Sequence, residues 1–408
     1  MKKLISISAL LSTFFLVACG GGQHNDSRNG TVDPVTSIVL DSANEALYKQ
    51  VFAAPTTAEL AQVRAEFLVG DRSGLDFAIE DTGSLGTIGG QQERATIISY
   101  SSDGFKQYGA VVFPAHATRT MPLLLLSHPG DGGVDVGSDI KLILLEAPLL
   151  AQNFVIVIPS FRSEAVEFNK KTWTSEGGAS PWGRDVLDGL RMVSAVESLS
   201  VATGDTAGLP SLDTTKLASI GFSRGGGVAL LASLRDPRIH RVVDYFGPTD
   251  FYGTYSERIF RQMMNGVSID LPGIKYLDSA IVKPLLAGTL SIDSARLELL
   301  RRSPAQFADS LPPVMIHHGL ADSTVLVSQS QDLWNALSEK AKVTLDSSYF
   351  FTYPNVGHTP VGMQANIPKS EEFLMQGIPT AELARRSAAS TVAEIPTPIW
   401  VRTGFSAQ

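Results

Sequence analysis

The chain of 408 residues contains a single cysteine, Cys19, so no disulfide can form within it. It has no run of Lys or Arg. Its 33 basic residues are scattered among 41 acidic ones, for a formal charge of −8. A phosphate-tracking basic surface is excluded on that ground, and no nucleic-acid partner is expected. No apolar stretch reaches the ~20 residues that a membrane-spanning helix needs. Histidine is scarce, at seven residues, which makes the search for an imidazole base a matter of elimination. The adjacent His317 and His318 lie on a β-type run, point to opposite faces and have no acidic cluster beside them, so no metal site is expected. No internal repeat is visible. What is present is an ordinary globular composition, 44% apolar and 18% charged, sufficient for one large core or two modest ones.

The N-terminus is patterned. Lys2-Lys3 precedes an apolar run from Leu4 to Ala18 broken only by Ser and Thr, the make-up of a secretory signal. The run ends in Leu16-Val17-Ala18-Cys19, followed by Gly20-Gly21-Gly22. This segment resembles the lipobox of bacterial lipoproteins. The resemblance implies removal of residues 1–18, lipidation of Cys19 and, with Gly20 after the cysteine, attachment to the outer membrane. Residues 19–34 are polar and glycine-rich, a flexible tether. Residues 35–93 form an N-terminal extension, with a helical stretch at Ala43–Phe67 and a glycine-rich end.

From Arg94 short β-rich runs alternate with amphipathic ones. The strand-like runs are Ala95–Tyr100, Tyr108–Phe113, Leu123–Ser127, Val155–Ile158, Leu217–Gly221, Val242–Phe246, Val314–His317 and Tyr349–Tyr353. Helical patterns cover Ile140–Ala151, Arg184–Leu199, Gly225–Ser233 and Ser328–Leu337. Ser101-Ser102-Asp103-Gly104 is a hairpin signal, and the later continuous apolar runs suit parallel strands buried on both faces. The expected fold class is α/β: a mostly parallel sheet of eight strands with helices on both faces, over residues 94–365. Residues 250–311 interrupt the alternation with helical patterning and are expected to form a cap. Residues 366–408 form a C-terminal extension without a functional reading.

Lys216–Leu231 reads KLASIGFSRGGGVALL, a strand, then Gly-x-Ser-x-Gly, then a small-residue helix. In that setting the motif resembles the nucleophile elbow of α/β-hydrolases. A sharp turn exposes the Ser223 hydroxyl, flanking glycines admit close backbone approach, and the helix N-terminus favours developing negative charge. A serine needs a base, and the base an orienting acid, in the order Ser, acid, His. His24 lies in the tether, His116 and His128 precede the serine, His240 sits at a strand start, and His317 and His318 precede the best acid. His358, directly after the last strand, is left. Asp322, in the loop after Val314–Gly319, is the acid, with Asp250 as rival. For the oxyanion, the backbone N–H of Arg224 is one donor. The loop Ser127–Gly133 supplies the other, from Gly130 or Asp131, with the His128 side chain as a further option; Pro129 has no N–H to offer. The loop Ser160–Arg184, with Phe161, Arg162, Trp173 and Trp182, is a candidate pocket wall.

Gly221–Gly226, Ser303–Val325 and Tyr353–His358 together resemble the dienelactone hydrolase and prolyl-oligopeptidase-type branch of the α/β-hydrolases, over residues 95–365. The resemblance implies cofactor-free hydrolysis of a small ester or peptide through an acyl-enzyme: Ser223 attacks, His358 is base then acid, and Asp322 orients it. Two departures stand out. Residues 20–90 are too few for the β-propeller of prolyl oligopeptidases, and Arg224 replaces the tyrosine frequent after their nucleophile. A carboxylesterase is therefore expected over a peptidase, with a non-catalytic surface-binding lipoprotein as the alternative outside enzymology. Arg224 either attracts an acidic acyl group or pairs with a nearby acid.

Overall fold

The computed structural model describes residues 38–68, 75–117, 120–202, 209–340 and 349–377. The expected signal segment and tether, with Cys19, and most of the expected C-terminal extension lie outside these. The sheet and the site belong to one compact unit that ends at Leu374.

The described strands are β1 (Leu75–Ile88), β2 (Gln91–Ser102), β3 (Phe105–Pro114), β4 (Met121–Ser127), β5 (Val134–Asp135), β6 (Val155–Pro159), β7 (Ala165–Phe168), β8 (Lys171–Thr174), β9 (Leu212–Phe222), β10 (Ile239–Tyr245), β11 (Val314–Gly319) and β12 (Tyr349–Tyr353). Nine form one sheet, in the order β1-β2-β3-β6-β4-β9-β10-β11-β12. β1 to β3 are an antiparallel meander, β3 runs antiparallel to β6, and the six strands from β6 onward are parallel. The hairpin signal is a tight turn in which Asp103 and Gly104 both hold positive φ. β4, β6 and β11 are buried along their whole length, as strands covered on both faces must be.

The described α-helices are α1 (Ser42–Val51), α2 (Thr57–Leu68), α3 (Lys141–Glu146), α4 (Pro148–Asn153), α5 (Arg184–Ala202), α6 (Arg224–Arg235), α7 (Thr254–Met264), α8 (Ile274–Leu277), α9 (Lys283–Leu286), α10 (Ile292–Leu300), α11 (Ser328–Lys340) and α12 (Ile367–Met375). Three details differ from the sequence reading. The sheet has nine strands and starts at Leu75, because the glycine-rich end of the extension pairs with β2 through irregularities, one of them at Gly86 with φ 94°. The Ala43–Phe67 stretch is two helices, interrupted before Thr57, with Pro55 in the break. The Ile140–Ala151 helix also divides: Ala147, preceding Pro148, leaves helical geometry at φ −122°, ψ 63°.

α7 to α10 fall within the 250–311 insertion, and the N-terminal helices are locked to it. Arg296 of α10 donates to the carbonyls of Gln50, Val51 and Ala53 at the end of α1, where a helix presents unpaired acceptors, and grips Glu59 of α2 with two nitrogens. Arg261 of α7 holds Glu45, and Tyr48 donates to Glu257. The extension thereby fixes the insertion over the carboxyl edge of the parallel strands.

Candidate active site

β9 ends at Phe222, α6 begins at Arg224, and Ser223 makes the bend between them at φ 54°, ψ −122°. Such a conformation is costly for a residue carrying a Cβ and persists only where the surroundings impose it. The flanking glycines make it possible. A Cβ on Gly221 would stand 1.9 Å from the Gly225 carbonyl oxygen, and one on Gly225 would stand 2.1 Å from that of Ser127.

The structure brings the three triad residues together. His358 Nε2 lies 2.8 Å from Ser223 Oγ, and its Nδ1 lies 2.7 Å from Asp322 Oδ2. An ionised carboxylate only accepts, so Nδ1 carries the proton and Nε2 faces the hydroxyl with its lone pair. Asp322 is fixed by its own loop, because Oδ1 accepts the backbone N–H groups of Thr324 and Val325 at 2.9 and 3.0 Å. Burial works to raise this carboxyl, but hydrogen bonds from His318 and His358 outweigh it and hold Asp322 below the usual carboxylate range. Phe246, itself at φ 46°, sets its ring edge-on to the His358 imidazole at 4.7 Å. Asp250 is engaged elsewhere, accepting from the Tyr252 N–H and the Gln306 side chain.

Around the serine, Arg224 opens α6, so its N–H has no acceptor inside the helix. Gly130 sits at φ 72° with its carbonyl on Arg224 Nη1 at 3.1 Å. Carbonyl and following N–H point opposite ways across a trans peptide, so the Asp131 N–H is aimed away from that guanidinium. The His128 ring is stacked on Phe161 at 4.3 Å and lies 3.6 Å from Glu164, and burial pushes it down to about 3, leaving it neutral.

Arg224 does not meet substrate with its charge. Its side chain is buried, donates to Asp185 through Nε and Nη2 (both 2.9 Å) and to Glu164 Oε1 (2.5 Å), and lies 4.5 Å from the Phe161 ring centre. Of the two options left open by sequence, pairing with acids is the one realised. Phe161 is thus packing, and Arg162 is tied to Asp188 and Asp103. Trp182 is different: held at φ 57° by a bond from its indole N–H to the Arg224 carbonyl, it lines the pocket.

That pocket, a cavity of ≈ 50 Å³, has Ser223 in its wall. Phe251, Tyr255, Ile259, Phe260 and Met263 line it from the start of the insertion and α7, Leu271, Ile274 and Leu277 from the next turn and helix, and Phe52 from the end of α1. Among the described residues that line it there is no carboxylate or lysine, and the one arginine is the paired Arg224. Sequence reasoning missed one partner. His318 lies 3.3 Å from Asp322 Oδ2, whereas His317 is turned to the other side and stacked between Tyr245 and Phe351. The i, i+4 spacing of His318 and Asp322 is a sequence signal, but outside a helix it carries no geometry.

The family model described as BD-FAE matches residues 205–337, less than half the chain; the span holds Ser223 and Asp322 and stops short of His358. No curated protein matches. Among solved structures, the chain is similar to acetyl xylan esterase 1 from a Thermoanaerobacterium species, at 15% identity over 81% of this chain and 98% of that one, with a TM-score of 0.52. It is also similar to a Legionella pneumophila protein described as a hydrolase, at 11% identity over 74% and 97% of the two chains, with a TM-score of 0.51. Taken with the strand order and the elbow between β9 and α6, these likenesses establish that the chain has the α/β-hydrolase fold.

Proposed function

We propose that this protein is a serine hydrolase that cleaves carboxylic esters carrying an uncharged, apolar group, through an acyl-enzyme. One observation carries the reading: an unbroken hydrogen-bond chain, Ser223 to His358 to Asp322, opening onto an apolar pocket. In the forward half-reaction Ser223 Oγ attacks the ester carbonyl while its proton passes to His358 Nε2. Asp322 stabilises the imidazolium through Nδ1–H without taking the proton. The oxyanion is met by the Arg224 N–H and by an N–H of the Gly130–Asp131 segment, each such donor being worth about 10²–10³ in rate. The Nε2 proton is then delivered to the departing alkoxide, which leaves as the alcohol. Water repeats the sequence on the acyl-serine and releases the acid.

A pocket whose described lining residues offer neither a carboxylate for a peptide amine nor a free cation for an acid suits a neutral ester better than a peptide, so we favour carboxylesterase over peptidase. Incubation with a fluorophosphonate probe and with p-nitrophenyl butyrate tests the reading. Wild type should label at one site and turn over the ester, and Ser223→Ala should do neither. Folded wild type that is inert to both would leave the non-catalytic binding reading in place. We further propose that the chain is exported and lipid-anchored at Cys19, facing the periplasm or the cell surface at the outer membrane. Incorporation of labelled fatty acid that persists in Cys19→Ser would refute this.

A further inference from the structure

Behind the triad lies a second imidazole. His318 is the penultimate residue of β11, is fully buried, and directs Nε2 at two acceptors, the Val325 carbonyl at 2.8 Å and Asp322 Oδ2 at 3.3 Å. Neither can donate while Asp322 is ionised, so Nε2 carries the hydrogen and shares it between them. Nδ1 is 2.7 Å from the Ser330 hydroxyl at the start of α11, which sets the ring plane. Oδ2 of Asp322 therefore receives N–H groups from two imidazoles, His358 on the substrate side and His318 from the interior. Asp244, on β10, is the other acid that acts on His318; burial pushes its carboxyl up to about 7.

We propose that His318 is a positioning residue of the triad: its Nε2–H, anchored through Ser330, pins the Asp322 carboxylate in the rotamer that holds His358 with Nε2 facing Ser223. The proposal rests on the hydrolase reading, and it accounts for a polar ring where an apolar one would fill the space. Without that N–H, Asp322 keeps its two backbone donors on Oδ1 but loses the interior restraint on Oδ2. The imidazole of His358 is then free to swing on a looser support. The contact acts through Asp322 and touches no substrate, so the effect belongs in kcat and in the rate of serine acylation, and KM should stay put.

The test compares His318→Leu, His318→Gln and Ser330→Ala, each matched to wild type by circular dichroism and Tm. Glutamine carries its amide nitrogen the same number of bonds from Cβ as His Nε2, so it restores the donor to Asp322 and Val325. Leucine restores none. Expected are a fall in kcat and in fluorophosphonate labelling rate of about 10- to 100-fold for His318→Leu, the range for a lost hydrogen bond to a charged group. KM should stay within about twofold. His318→Gln should recover to within about fivefold of wild type, and Ser330→Ala should fall between. If the leucine variant does not fold, the contrast of glutamine with Ser330→Ala decides. Equal loss in the leucine and glutamine variants at equal stability, or no loss in either, overturns the proposal. A second readout needs no turnover: the downfield Nδ1 proton resonance of His358, present in wild type, should be lost or shifted in His318→Leu and kept in His318→Gln. Should wild type neither label nor hydrolyse, the hydrolase reading fails, and an unchanged resonance in His318→Leu would separately refute the positioning contact.

Discussion

Replacing Asp322 by Asn is the sharpest perturbation of this site, because the surroundings dictate how the amide must sit. In one orientation the amide oxygen faces His358 and the NH₂ faces the N–H groups of Thr324 and Val325, which now bond Oδ1 at 2.9 and 3.0 Å. Two backbone donors would then be left without an acceptor in a buried loop, at about 1–3 kcal/mol each. In the other orientation those donors are satisfied and the NH₂ points at His358 Nδ1. The imidazole must then accept at Nδ1 and carry its proton on Nε2, so it can no longer take one from Ser223. The second orientation is favoured by about 2–6 kcal/mol, which at ~1.4 kcal/mol per decade leaves about one molecule in 30 to one in 10⁴ in the active tautomer. The expected kcat for p-nitrophenyl butyrate is accordingly about 30- to 10⁴-fold below wild type, with little change in Tm. Asp250→Asn, which keeps one side-chain acceptor for the Tyr252 N–H, should stay within about threefold. An Asp322→Asn variant retaining more than about a tenth of wild-type kcat would refute both the assignment and the tautomer argument, and a collapse in Asp250→Asn instead would transfer the role.

Met263→Trp adds bulk to the pocket wall on α7. It should cut kcat/KM for p-nitrophenyl octanoate by at least about tenfold and leave the acetate ester within about threefold, and equal losses on both would contradict a chain-binding role. Arg224→Met strands Asp185 and Glu164 as buried carboxyls without their cation, at about 3–5 kcal/mol, read as a lowered Tm. Burial already pushes Asp185 up to about 6 and raises Glu164, so protonation relieves the variant; the Tm deficit should be smaller at pH 5 than at pH 8, and a pH-independent deficit would count against this. Glu93 on β2 is buried with neither oxygen bonded to any of the described residues, and burial pushes its carboxyl up to about 8. With the folded value above the unfolded one, its penalty is absent below about pH 4.5 and grows until pH passes about 8. Differential scanning fluorimetry across pH 5 to 8.5 should therefore show Glu93→Gln gaining Tm steadily over wild type.

Much of the site was legible because its signals are local or exclusive. The elbow needs small residues at fixed offsets from the nucleophile, so Gly221 and Gly225 declare Ser223 without any knowledge of its neighbours. Seven histidines and a required chain order leave His358, although 135 positions separate it from the serine it meets. The alternation of buried runs and amphipathic ones marks parallel strands with crossover helices, because periodicity records which faces are covered.

The sequence by itself thus determined the fold class and singled out Ser223 and His358, which the structure sets 2.8 Å apart. Tertiary structure separated residues whose local signals only rank them. Asp250 and Asp322 both follow strands, and only the turn of Thr324 and Val325 toward one carboxylate, with two imidazoles on its far oxygen, distinguishes them. Arg224 reads as a charge offered to substrate until Asp185 and Glu164, each far along the chain, are found to enclose it. The pairing of β1, the docking of α7 through Arg261 and of α10 through Arg296 on the N-terminal helices, and the place of His318 behind Asp322 have the same cause. Each depends on contacts between distant segments, whose partners are chosen by packing and by the need to satisfy buried charge, and neither leaves a period in the sequence.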